Sequence, residues 1–132
     1  MRYVVDTHAL IWFLEDNPRL GSNAKTILTH ATSQLILPAI ALAEAVWIVE
    51  RGKTSIPSVA DLLSAIDADP RVIIYPLDQA VIEQTILFSA IHEMHDRQIV
   101  ATAIVLQSQG EIITLLTCDK NIEASGLVSI AW

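Results

Sequence analysis

Tyr3-Val4-Val5-Asp6-Thr7-His8-Ala9-Leu10-Ile11-Trp12-Phe13-Leu14 changes its hydrophobic period within one short span. Tyr3 to Val5 is an aromatic and β-branched run that reads as a buried strand. It stops at an acid. From Thr7 onward the apolar positions Ala9, Leu10, Phe13 and Leu14 fall at helical spacing. A strand that feeds directly into a helix, with a carboxylate at the junction, is the unit from which a parallel sheet is built.

The same alternation continues downstream. Asn17-Pro18 breaks the chain, and Ser22 is the expected N-cap of a helix reaching His30. Gln34 to Leu37 reads as a second buried strand, and Pro38 suits the first turn of the helix after it. That helix, Ala39 to about Arg51, is apolar on nearly every face and closes at Gly52, which predicts a central helix. Ser58 is expected to cap a helix ending at Asp67, Val72 to Tyr75 is a third strand, and Asp78 is expected to cap a helix reaching about Ile91. A helix from Asp96 to Gln109, a strand from Glu111 to Leu116, a short helix from Lys120 and a last strand over Leu127 to Ile130 complete the pattern. The fold class this predicts is α/β, with a mostly parallel central sheet covered by helices on both faces, as one domain over 1–132.

Composition narrows the function. Hydrophobic residues make up 52 % of the chain and charged residues 17 %, which excludes disorder and predicts a homodimer or a bound partner to cover surplus apolar surface. No apolar run reaches the ~18 residues of a membrane span, and the N-terminus lacks the pattern of a signal peptide, so a cytoplasmic protein is expected. Cys118 is the only cysteine, which leaves no internal disulfide. The net charge of −7 counts against binding nucleic acid through an overall positive field, so any such contact must be local or metal-mediated.

The acids carry the chemistry. Asp6 and Asp119 each follow an apolar strand, where open parallel sheets hold their ligands. Asp96 begins a helix, and Glu44 lies within the first two turns of another, so one cleft is able to gather all four. The plainer explanation for Asp6, Asp96 and Asp119 is helix capping, worth about 1 kcal/mol each. Glu44 resists that explanation, because its neighbours Leu42, Ala43, Ala45 and Val46 look buried and an unpaired buried carboxylate is costly. Lysine and arginine total only eight, with Arg97, Arg51, Lys53 and Lys120 among those near the acids along the chain. Two carboxylates about 4 Å apart repel by roughly 4 kcal/mol at an effective dielectric of about 20, so such a cluster calls for a cation. All-oxygen donors favour Mg²⁺ or Mn²⁺ over zinc, and the chemistry that uses them so is phosphodiester hydrolysis.

Three stretches together carry a family resemblance: Val5-Asp6-Thr7-His8-Ala9-Leu10-Ile11-Trp12, Asp96-Arg97-Gln98-Ile99-Val100-Ala101-Thr102-Ala103 and Leu116-Thr117-Cys118-Asp119. In order and spacing the chain resembles PIN-domain ribonucleases, and more narrowly the VapC-type toxins of toxin–antitoxin pairs. The resemblance implies a three-layer fold and a metal-dependent endoribonuclease, with RNA as substrate and a cognate antitoxin as partner. By the same resemblance Asp6, Glu44 and Asp96 hold Mg²⁺ or Mn²⁺, Asp119 is a fourth acid, and Thr7 and Thr117 orient carboxylates or water. Two positions depart from the pattern: Ala43 precedes Glu44 where relatives often carry a hydroxyl or aromatic residue, and Cys118 precedes Asp119 in place of a second hydroxyl.

Other residues have simpler roles open to them. Arg51, Lys53 and Arg97 are candidate RNA contacts, although Arg51 and Lys53 equally complement a helix C-terminus. His92 and His95 make at best a zinc half-site without suitable companions, and His8 and His95 read as surface histidines with local hydrogen bonds. Cys118 reads as small buried filler, since an acid neighbour disfavours a thiolate. Trp12, Trp47 and Trp132 read as core or interface packing before base stacking. A phosphoaspartyl or receiver-type domain also places acids after strands, with Lys120 as its phosphate lysine, and a PIN-like fold kept only for binding is the remaining alternative.

Overall fold

The structure is a computed structural model and describes residues 2–132. Its elements, in chain order, are β1 (Arg2–Val5), α1 (Thr7–Leu14), α2 (Ser22–Thr29), β2 (Gln34–Pro38), α3 (Ala39–Glu50), α4 (Val59–Asp67), β3 (Val72–Tyr75), α5 (Gln79–Thr85), α6 (Met94–Ser108), β4 (Ile113–Leu116), α7 (Lys120–Ser125) and β5 (Ile130–Ala131). The five strands form one parallel sheet in the order β3-β2-β1-β4-β5, the centre of a three-layer α/β/α arrangement.

This order positions the site. The chain winds outward from β1 through β2 to β3, then returns to β1's other side with β4 and β5. β1 and β4 are therefore the neighbours at which the winding reverses, and a crevice opens beyond their carboxyl ends. Val5 pairs with Leu116 in register, and the Asp6 amide donates to the Leu116 carbonyl at 3.2 Å. Asp6 and Thr117 consequently leave the sheet side by side. Val4, Leu115 and Leu116 are fully buried beneath them, with Ile99 and Val100 of α6 in the same core.

Several sequence-based boundaries shift, each for an identifiable reason. Gly21, not Ser22, is the N-cap of α2, and Ser22 is its first residue. A Cβ at Gly21 would lie 2.3 Å from the Trp132 carbonyl carbon, so this position is set by close approach of the chain's end. Helix α5 ends at Thr85 instead of Ile91, because 86–93 runs on in turns that Arg97 secures through its bonds to the Ile91 and Ser89 carbonyls. Helix α6 starts two residues before Asp96: Glu93 is the N-cap, its carboxylate accepting from the Asp96 amide at 2.8 Å. The last strand is Ile130–Ala131, later and shorter than the apolar run suggests. Helix α3 is not central. Ala41, Ala45 and Val49 are buried, while Ala43 and Trp47 face outward.

Candidate active site

The four acids singled out in the sequence line one cleft of about 200 Å³, together with Glu93, His8, Ala9, Cys118 and Trp132. Each arrives by a different route. Asp6 is the cap of α1, and its Oδ1 accepts from the Thr7 amide at 2.7 Å. Its Oδ2 accepts from the Thr117 hydroxyl at 2.6 Å, and the same Thr117 oxygen accepts from the Asp119 amide at 3.1 Å. Thr7, buried at the start of α1, donates its hydroxyl to Glu44 Oε1 at 2.5 Å, which ties α1 to α3. Both threonines are thus bonded to acids of the cleft.

Asp119 caps α7 through the Asn121 and Ile122 amides at 2.8 and 3.0 Å. Capping and placement in the cleft are therefore compatible for Asp6 and Asp119. Asp96 differs: Glu93 has taken the capping role, so the cap explanation fails for Asp96. Its carboxylate sits partly buried among like charges.

The electrostatics follow from this crowding. Burial, and then the charges of Asp119, Asp6, Glu93 and Glu44, push the Asp96 carboxyl up to about 7. Burial also raises Asp6, although the Thr117 hydroxyl and Thr7 amide pull the other way. For Glu93 burial is outweighed by bonds from the Asp96 amide and His95, and its carboxyl is lowered. The Cys118 thiol is raised by burial and by nearby Asp6, which leaves it protonated near neutrality. Cys118 is exposed at the cleft and is not buried filler.

No lysine or arginine lines the cleft among the described residues. Arg97 turns its guanidinium to the Ile91 and Ser89 carbonyls, Arg51 lies over the Trp47 ring, and Lys120 pairs with Glu123 at 3.4 Å. His95 pairs with Glu93 at 2.8 Å, and His92 is exposed outside the cleft lining. Among the described residues no three His, Cys, Asp or Glu side chains stand, as placed, in a group able to hold one ion. The donor set is nevertheless all carboxylate oxygen, the chemistry that suits Mg²⁺ or Mn²⁺.

Glu93 is the residue that the sequence did not single out. Its signal was available, since Glu93-Met94-His95-Asp96 places an acid three residues before Asp96 at the start of a helix. Glutamate is an uncommon N-cap, so the local pattern points to Asp96 instead.

The sequence pattern of the PIN domain family matches residues 3–126. The chain belongs to the PIN domain family. No curated protein matches it in sequence. Among solved structures, this PIN domain is similar to VapBC2 from Rickettsia felis, described as bound to a DNA fragment from its promoter, at 18 % identity and a TM-score of 0.75, covering 100 % of this chain and 99 % of that one. It is similar to Mycobacterium tuberculosis VapC20, described as a sarcin-ricin loop cleaving toxin, at 18 % identity and a TM-score of 0.70, covering 98 % and 99 %. FitAcB from Neisseria gonorrhoeae follows at 17 % identity and a TM-score of 0.64, covering 97 % and 95 %. At these identities the likeness establishes a shared PIN fold.

Proposed function

We propose that this PIN domain is a Mg²⁺- or Mn²⁺-dependent endoribonuclease that acts in the cytoplasm as the toxin of a toxin–antitoxin pair and works as a homodimer. The observation that carries the proposal is the convergence of Asp6, Glu44, Asp96, Asp119 and Glu93 on one cleft whose lining contains no lysine or arginine. Family membership and the fold shared with VapBC and VapC20 support RNA as substrate and an antitoxin as partner.

In this reading Asp6, Glu44, Asp96 and Asp119 hold the metal. When bound, the metal supplies a lowered water pKa and neutralisation of charge on the scissile phosphate. The Thr117 hydroxyl fixes the rotation of Asp6 and, through its oxygen, the start of the Asp119 turn. The Thr7 hydroxyl does the same for Glu44. Among the described residues no side chain donates to Asp96 or Asp119, and the α7 capping bonds fall on Asp119 Oδ1, which leaves Asp119 Oδ2 and the Asp96 carboxylate to meet a cation. His8 and Trp132 wall the cleft, and Glu93 holds His95 beside it.

The receiver-type alternative loses its lysine, because Lys120 is exposed and pairs with Glu123 on its own helix. The experiment that tests the proposal is cleavage of a pooled single-stranded RNA by the wild type and Asp96→Asn, in Mg²⁺, Mn²⁺ and EDTA. Cutting by the wild type alone, and only with metal, is expected. No cutting under any condition would replace the nuclease with a binding module.

A further inference from the structure

Trp47 is 54 % exposed on α3, where the helix pattern had predicted burial. Its neighbour one turn on, Arg51, places its guanidinium carbon 3.4 Å from the ring centroid and donates to the Trp47 carbonyl at 3.2 Å. Among the described residues Arg51 forms no ion pair, so its charge is available to a ligand. An exposed cation–π pair adds little to stability, which leaves the fold without a reason for this surface tryptophan.

Position supplies a reason. Glu44, Trp47 and Arg51 lie three and four residues apart and follow one stripe of α3 to its C-cap, Arg51. At 1.5 Å per residue, Trp47 stands about 4.5 Å and Arg51 about 10 Å along the axis from Glu44. Ile40, Ala43, Glu44, Trp47 and His95 line a groove of about 450 Å³, within the size range of ligand pockets. Glu44 also lines the acid cleft, so groove and cleft adjoin at this residue.

We infer that the Trp47–Arg51 pair is a stacking platform for an unpaired nucleobase adjacent to the phosphate held at the acid cleft. Ring and guanidinium both offer flat faces on which bases stack, and Arg51 is complementary to the strand's phosphates in a chain of net charge −7. A base inside a duplex has no free face to offer. The platform therefore selects single-stranded or loop RNA, without selecting among bases. The inference rests on the nuclease reading for its substrate but acts through binding, and its test reads binding alone.

Wild type, Trp47→Ala and Trp47→Phe are titrated in Ca²⁺ with a labelled short oligoadenylate and with an abasic ribose-phosphate strand of equal length. Wild type is expected to bind oligoadenylate about tenfold more tightly than the abasic strand, in the range one stacked base contributes. Trp47→Ala should bind both strands alike, and Trp47→Phe should recover most of the preference, with melting temperatures unchanged. Retention of the full preference in Trp47→Ala overturns the inference. So does sedimentation showing that Trp47→Ala splits a dimer into monomers, since the face would then belong to a second copy. A wild type that shows the preference yet cuts no RNA refutes the nuclease reading and leaves the platform standing.

Discussion

The acid cleft has two unlike halves. On the β1 side, Asp6 and Glu44 each accept a short hydrogen bond from a buried threonine, and Asp6 accepts a backbone amide as well. On the α6 side, Asp96 is partly exposed, has no side-chain donor among the described residues, and carries a carboxyl raised to about 7 by burial and by Asp119, Asp6, Glu93 and Glu44. The first half is organised by the protein's own donors before anything binds. The second leaves Asp96 crowded by like charges; burial raises Asp6 on the first side too, but there the Thr117 hydroxyl and the Thr7 amide pull against it. The difference teaches where in this fold fixed donors offset the cost of buried charge and where that cost is left uncompensated.

The largest effect expected is at Asp96. Asp96→Asn should lower RNA cleavage by more than the ~10–100-fold that outer partners of a metal site are worth. The same change should raise the metal-free melting temperature by about 2–6 °C, because it removes a charge that the fold disfavours. Loss of metal-free stability in this variant would erase the contrast between the halves.

Next comes Thr117→Val. It leaves Asp6 Oδ2 and the Asp119 amide without their partner and should cost about 1–3 kcal/mol of stability in denaturant unfolding. Cleavage should fall ~10–100-fold. Thr7→Val should act in the same direction through Glu44. Equal insensitivity of both halves to these changes would show that the β1 side is not preorganised.

The pH dependence sharpens the same contrast. The folded Asp96 carboxyl lies near 7 and its unfolded counterpart near the usual 3.8, so the folded state binds more protons between these values. The contribution of Asp96 to metal-free stability should therefore be greatest below about pH 4 and fall as pH rises toward about 7. Melting curves of wild type and Asp96→Asn over that range should converge at low pH and separate as pH rises.

The smallest effect is expected at Lys120. Its exposed ion pair with Glu123 should be worth less than about 1 kcal/mol, and Lys120→Ala should leave cleavage unchanged. Loss of activity there would return the receiver-type lysine to consideration.

Much of this was legible in the sequence. Strand runs such as Tyr3-Val4-Val5 are short, apolar and ended by acids or proline, so the alternation and the parallel sheet follow from local pattern alone. The four acids stood out for the same reason, each at an element boundary or, for Glu44, among apolar neighbours inside a helix. What local pattern does not carry is tertiary geometry. The bond from Thr117 to Asp6 depends on the β1–β4 register, and Gly21 is fixed by a contact with Trp132 far along the chain. The nearly all-apolar pattern of α3 reads as a central helix, whereas the face with Trp47 borders an open groove, so Trp47 is not core packing.

The central claim is that the acids of the α6 side are held ready for a divalent cation, and thermal unfolding in rising Mn²⁺ tests it most directly. Wild type should gain stability by mass action, about 2.7 kcal/mol at a metal concentration of about 100 times Kd, and Asp96→Asn should gain little or none. A wild type whose melting temperature does not move with Mn²⁺, or an Asp96→Asn that gains as much, would contradict it.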